Sequence, residues 1–293
     1  MNKAMKNNLG IILFLTPALV IFFVFFVYPV FFVASTSLVR WDGITDITFV
    51  GVNNYISLFK DGTFIKSVTN NLKWSMSGGF IHVPMAMFVA LLLSSKPKGW
   101  KILRTIYFFP NIISIIALSM MWMAMYNNEY GAVNALLRAV GLEHLQRNWL
   151  GDLHTAFPAL IAYWIFYIGY FMVIILAEIS TIPESYYEAA SIDGANRIQQ
   201  TIYITLPMLK GIMGTCITLS MVSGLKQFEQ VFIMTNGGPA NRTTLLALYL
   251  YKQMINYRYG LANAAGVMLL TFGVIVIFTI KKIFSTNKIE QVG

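Results

Sequence analysis

The chain of 293 residues is 57% hydrophobic and only 11% charged, a balance that excludes an ordinary soluble domain and places it among membrane proteins. The net charge of +9 would suit a nucleic-acid partner. Most Lys and Arg fall in short loops and near the termini, however, where topology and anionic lipid account for them, so no nucleic-acid partner is expected. Cys216 lies alone in an apolar run and leaves no disulfide. His82, His144 and His154 are too scattered for metal-ligand spacing, and His82 reads as a packed or lumen-facing membrane histidine. No nucleophile–base pair stands out, so no metal and no catalytic residues are expected.

In chain order, a short basic start with Lys3 and Lys6 leads into an apolar run from about Leu9 to Leu38. The run exceeds a signal-peptide core and can cross a bilayer with tilt, so it is predicted to be an uncleaved first span. Pro17 is expected near its start and Pro29 at a kink towards its outer end. Arg40 to Lys73 is amphipathic and mixed in charge, and reads as an external loop with a short helix lying on the membrane. The second span is predicted over Trp74 to Leu93, where Ser75, Ser77, Gly78 and Gly79 allow close helix contact. Lys96, Lys98, Lys101 and Arg104 form the densest basic cluster and assign that side to the cytoplasm.

The third span is predicted over Ile106 to Tyr126 and opens with Phe108-Phe109-Pro110. A polar stretch, Asn127 to Asp152, precedes a fourth span over Ala156 to Ser180. The fifth span, Met208 to Thr235, ends at the turn Asn236-Gly237-Gly238-Pro239. The sixth, Leu261 to Phe284, ends in Lys281 and Lys282. Six spans put both termini on one side. Counting Lys3, Lys6 and Lys288 with the loop residues favours that side as cytoplasmic only slightly, and the 96–104 cluster argues it better. The expected fold is an all-α integral membrane protein, one domain over 1–293 with its core at 9–284.

Between the fourth and fifth spans lies a polar stretch, 181–207. Pro183 suits the first turn of a helix, and Glu184 and Glu188 are i, i+4 neighbours near its positive end. Ala189 and Ala190 form helix with almost no bulk, so another protein can approach the backbone. Asp193 is expected to cap a second helix, and Gly194 permits a sharp bend. The predicted shape is a short helix, an elbow and a second short helix across the membrane surface.

The flanking spans carry polar groups at helical spacing. Tyr163, Tyr167 and Tyr170 fall at i, i+4, i+7, and Ser220, Ser223, Gly224 and Gln227 at i, i+3, i+4, i+7. Polar groups at membrane depth should face protein or water. Tyrosine faces and hydroxyls together with an amide suit a sugar; helix packing and interfacial anchoring are the alternative uses of these residues. Lys226 and Glu229, at i, i+3, could form a local ion pair or line a lumen.

The stretch Glu188-Ala189-Ala190, then Asp193-Gly194-Ala195 and Ile204-Thr205-Leu206-Pro207, resembles the signature loop of the membrane-spanning subunits of binding-protein-dependent ATP-binding cassette (ABC) importers. Phe49 to Tyr55 resembles the stretch after the first helix in sugar-type permeases, and Gly131 to Leu142 that family's small external helix. Phe228-Glu229 and Thr235 to Ala240 resemble its maltose-F-like and lactose-F-like half. The resemblance implies that 181–207 is a cytoplasmic coupling loop, with Glu188 a charged anchor in an ATPase cleft, Ala189, Ala190 and Gly194 in close packing and bend, and Asp193 and Ala195 beside them. Tyr170 and Ser220 keep the residue type at positions where maltose-type permeases contact sugar. Ser223-Gly224 replace a phenylalanine–asparagine pair, and Gln227 replaces an asparagine.

A permease subunit of a bacterial inner-membrane sugar or oligosaccharide importer is therefore expected, multi-pass, with both termini cytoplasmic. The implied partners are a second homologous permease, two ATPase subunits and an external solute-binding protein. The sequence has no phosphate-cradling glycine loop, so the chain is expected to be no enzyme and to bind no cofactor, with ATP and Mg on the partner ATPase. The alternative, an ion-gradient-driven transporter or channel, would need acids inside the spans, where only Glu229 and Glu178 are candidates.

Overall fold

The structure, a computed structural model, describes residues 8–284. Lys3, Lys6 and Lys288, with both chain ends, lie outside the described residues. Two compact units are present, Met1–Gly62 with Tyr249–Met268 and Thr63–Leu248 with Leu269–Gly293.

In the first unit, α1 (Gly10–Thr36) is long and apolar enough to cross a membrane, and none of its most apolar window is buried. Pro17 lies inside the helix instead of near its start, because helical structure already begins by Asn8. A wide π turn, Phe23–Val27, precedes Pro29 by two residues. The same arrangement recurs twice in the second unit, with Gly78–His82 before Pro84 and Thr201–Thr205 before Pro207. A proline lacks the N–H and pushes away the carbonyl one turn back, and a widened turn absorbs both defects without ending the helix.

After α1 a two-strand ribbon pairs β1 (Val39–Arg40) antiparallel to β2 (Thr48–Phe49), and α2 (Asn53–Lys60) follows. The Asn54 amide donates to the Ser37 and Val39 carbonyls at 2.8 and 2.9 Å, and Tyr55 Oη meets Ser37 Oγ at 2.7 Å. Asn263 donates to Thr36 Oγ1 at 2.7 Å. A Cβ on Gly260 would stand 1.9 Å from the Val39 carbonyl oxygen, so only glycine passes there. The stretch around Asn54-Tyr55 is thus the clasp that satisfies the open end of the first span.

The second unit opens with α3 (Gly62–Ser94), a single helix of 33 residues. The sequence reading placed Gly62 to Lys73 in an external loop; it is the first third of the second span. Ser67, Asn70 and Asn71 of this stretch are buried against protein, while Lys66, Thr69 and Lys73 are exposed. Asn71 donates to the Leu225 carbonyl at 2.9 Å and accepts from Leu246 N at 2.6 Å, while Asn70 donates to the Arg242 and Thr244 carbonyls at 2.8 and 3.0 Å.

The expected third span is two helices, α4 (Trp100–Ile112) and α5 (Ile115–Met125), bent by 100°. A Cβ on Gly169 would lie 2.1 Å from the Tyr107 carbonyl oxygen, so glycine lets α4 press against the following span. The small external helix appears as α6 (Ala132–Ala139). The fourth span comprises α7 (Ala156–Ile165) and α8 (Gly169–Ile179). The loop helices are α9 (Glu184–Ile192) and α10 (Arg197–Met208), the latter bent 65° from α11 (Lys210–Leu225). The expected fifth span also breaks after Leu225, and α12 (Glu229–Met234) follows. A helix missing from the sequence reading, α13 (Leu246–Ile255), precedes α14 (Tyr259–Phe284). Among the described residues four helices are long and apolar enough to cross a membrane, with α7 and α8 taken as one, or up to six if each bent pair counts as one span.

The core of this unit gathers Ala86 and Ala90 of α3, Met172 and Ile175 of α8, and Met213 and Cys216 of α11, with Ile280 of α14. Small residues bring the backbones together. A Cβ on Gly224 would lie 3.0 Å from Ser75 Cα, and one on Gly79 3.0 Å from the Met221 side chain. Lipid is as apolar as the core, so this close packing and the interhelical amide bonds hold the helices together.

Candidate functional site

The elbow is built by two capping devices. Asp193 closes α9 with φ −72°, and Gly194 follows at φ +82°. Ala195 N donates to the Ala190 carbonyl at 2.8 Å and Gly194 N to the Ser191 carbonyl at 3.1 Å, the paired bonds of a Schellman ending with glycine in the left-handed position. A sequence-level expectation is corrected here, since Asp193 ends the first helix and does not cap the second. Asn196 caps the second, accepting from Gln199 N at 2.9 Å while Asn196 N donates to Gln199 Oε1 at 2.8 Å. The Asn-x-x-Gln spacing was the signal for this capping box. Pro183 is the residue before the first helical turn.

The two arms are cross-braced. Gln200 Nε2 donates to Ser191 Oγ at 2.9 Å, Ser191 Oγ donates to the Tyr187 carbonyl at 2.7 Å, and Tyr187 Oη meets Thr205 Oγ1 at 3.0 Å. No residue of α9 is buried. Glu188, Ala189, Asp193 and Gly194 are exposed, and Ala190 and Ala195 half-buried. Ile192 is 87% exposed and Ile198 71%. These two isoleucines give the elbow an apolar tip that the sequence reading missed, because it weighed only the signature residues.

The seven residues read as a polar passage differ in burial: Tyr163, Ser220, Gly224 and Gln227 are buried, Tyr167 is half-buried, and Tyr170 and Ser223 are exposed. Tyr163 is buried and stands 5.8 Å from the Tyr167 ring and 6.0 Å from Trp122, whose indole N–H donates to Tyr167 Oη at 2.6 Å. The helix is interrupted between Ile165 and Gly169, which separates Tyr170 from the other two. Tyr170 is 49% exposed and packs edge-on to Phe171. Ser220 is fully buried, and a Cβ on Gly78 would meet its Oγ at 2.7 Å. Gly224 lies against Ser75, and Gln227 is buried and accepts from the Gln230 amide. Ser223 is exposed.

Lys226 and Glu229 do not share a helix face, because the helix ends between them; both are exposed, and among the described residues no ion pair joins them. His82 is packed, 4.3 Å from the Trp164 ring and 5.5 Å from Phe171.

An exposed, braced elbow thus joins the fourth and fifth spans. The family model described as "Binding-protein-dependent transport system inner membrane component" matches residues 82–286, and the chain belongs to that family. It is a multi-pass inner-membrane permease component of the ABC importer type, which favours ATP-driven import over the ion-gradient alternative. It is 34% identical over 292 residues to the "Probable ABC transporter permease protein YurN" of Bacillus subtilis, covering 97% of this chain and 99% of that one. It is 33% identical to the multiple sugar-binding transport system permease protein MsmF of Streptococcus mutans, covering 92% and 93%. The trehalose/maltose transport system permease protein MalF of Thermococcus litoralis is 31% identical, with 95% and 93% covered. Among solved structures, a bacterial ABC transporter importing the acidic polysaccharide alginate superposes with a TM-score of 0.82 at 23% identity, over 96% of this chain and 97% of that one. That likeness shows the same fold.

Proposed function

We propose that this chain is one permease subunit of an ATP-driven importer that carries a sugar or oligosaccharide across the cytoplasmic membrane, with its termini and elbow on the cytoplasmic side. The exposed apolar tip of the elbow carries this reading. Two bare isoleucines, Ile192 one helical turn from Glu188 and Ile198 across the bend, on a braced and exposed turn make a hot-spot anchor for a soluble partner. That partner is an ATPase subunit, present in two copies and holding ATP and Mg. A second homologous permease and an external solute-binding protein complete the assembly. The relatives whose names carry sugars support the substrate class. Closure of the ATPase pair moves residues 188–195, and the helices on either side rock as bodies. Tyr170 and Ser223 are the exposed contacts for solute and Tyr167 a partly exposed one, while Tyr163, Ser220, Gly224 and Gln227 hold them from within the bundle.

The test pairs affinity purification with uptake in vesicles. Wild-type chain should co-purify with ATPase subunits and support ATP-dependent uptake. Ile192→Glu with Ile198→Glu should lose the ATPase, and Gly194→Asp should abolish uptake, both with normal insertion. Tyr170→Ala should raise the KM for sugar about tenfold, the worth of a stacked ring. Uptake that survives loss of the ATPase and collapses with the ion gradient would overturn the proposal.

A further inference from the structure

Helix α4 lies at 100° to α5, so if α5 stands across the bilayer, α4 runs along its surface. No residue of α4 is buried. Ile102 is 67% exposed and Ile106 59%, and both project from a helix that also carries Lys101 and Arg104, one turn apart on a shared face. Trp100 opens the helix, with Lys101 Nζ 6.0 Å from its ring centre. A basic, Trp-bearing amphipathic helix in this attitude has the make-up of an interfacial anchor.

A cavity of about 400 Å³ runs along the other flank of α4. Its lining joins the cations of Lys101 and Arg104 to the apolar side chains of Phe108, Phe109 and Ile112, one to three turns along α4, and, from α8, Val173. No acid lines it. A larger adjoining cavity of about 880 Å³ shares Trp100, Arg104 and Val173, and extends past Lys96 to Arg197 at the elbow, with Glu184 its only acidic residue. The transport reading does not use the smaller cavity, and of the larger it uses only the elbow residues Tyr187, Gln200 and Thr205. A cationic end continuous with a hydrocarbon wall, at the level of an interfacial helix, is complementary to one kind of molecule. An inorganic anion would leave the wall unfilled, and a neutral lipid would leave two cations without a partner.

We propose that this groove is a binding site for an anionic phospholipid, its phosphate held between Lys101 and Arg104 and an acyl chain laid along Phe108, Phe109, Ile112 and Val173. The site joins the lipid surface to the base of the elbow through Arg104, which lines both cavities.

The experiment counts lipids bound to the full-length purified chain by native mass spectrometry during titration with phosphatidylglycerol or phosphatidylcholine. Binding needs no ATPase and no sugar, so its failure is separate from failure of the transport reading. Phosphatidylglycerol should bind more tightly than phosphatidylcholine. Lys101→Gln with Arg104→Gln should weaken it about thirtyfold, at about fivefold per basic residue. Ile112→Trp, which fills the wall and leaves the charge, should also weaken it, whereas Lys281→Gln with Lys282→Gln should not. Equal loss from both basic pairs, equal binding of the two lipids, complete displacement by inorganic phosphate, or retention of the same affinity by the α4 pair with its native fold confirmed by tryptophan fluorescence would each overturn the site.

Discussion

Asn71 shows what one polar side chain does at membrane depth. The break after Leu225 frees carbonyls that no water can reach, and the Asn71 amide donates to the one at Leu225 while its oxygen takes the Leu246 N–H. Asn71→Leu keeps the volume and strands both groups. It should destabilise the purified protein by about 2–6 kcal/mol, at 1–3 kcal/mol per unpaired group, and a thermal melt followed by tryptophan fluorescence would read it. Asp42 governs a water-exposed turn in the same local way. Its Oδ1 accepts from Thr45 N, Ile44 N and Thr45 Oγ1 at 2.7, 2.9 and 2.9 Å. The Thr45 amide, then the Ile44 amide and the Thr45 hydroxyl, hold its carboxyl below the ordinary 3.8. A depressed carboxyl contributes stability that is complete above its unfolded value and lost as the pH falls through the folded one. Exchange of the Ile44 and Thr45 amides should therefore quicken, beyond its intrinsic trend, only below pH 3.8.

At the scale of elements, composition and mechanism separate what the chain announces from what it conceals. Leu9 to Leu38 and Leu261 to Phe284 are largely apolar and were legible as spans. The elbow was legible because Gly194 and the alanines are local signals. The breaks at Ile113-Ser114 and after Leu225 were not, since they depend on who satisfies the freed backbone groups, and Asn71 stands 154 residues away from Leu225. The same long range misled the reading of Gly62 to Lys73, whose Asn70 and Asn71 looked wet and are instead buried, bonded to carbonyls 154 or more residues away. Periodicity picked out Tyr163, Ser220 and Gly224 as one polar set, but only the packing reveals that all three are buried and that Gly78 and Ser75 face the latter two. The elbow itself makes a sharp prediction. No atom stands within 4 Å of a Cβ built on Gly194, so space does not oppose a side chain there; φ does. Gly194→Val should cost the turn about 1–2 kcal/mol and Gly194→Asn less, so uptake should fall in the order Gly, Asn, Val. An equal loss in Asn and Val variants would show that bulk, and not backbone angle, matters.

For the whole molecule the issue is which side each loop faces. Cys216 is the sole cysteine and is buried, so Cys216→Ala gives a background for probing one position at a time. On that background Asp193→Cys should resist a membrane-impermeant maleimide in intact cells and react once they are permeabilised. Glu129→Cys and Asn241→Cys, both at exposed positions, should react in intact cells. The reverse pattern would turn the molecule over and move the elbow away from any cytoplasmic ATPase.

The cross-bracing of the elbow has a mechanical corollary. With Gln200 tied to Ser191 and Tyr187 to Thr205, the turn has little slack to absorb load. On the proposed function, a displacement imposed at Ile192 would be passed to α8 and α11 together, as a crank passes torque to its shaft. Cutting one brace, as in Tyr187→Phe, should leave the handle attached and make it slip, so that nucleotide is spent with less solute moved per turn.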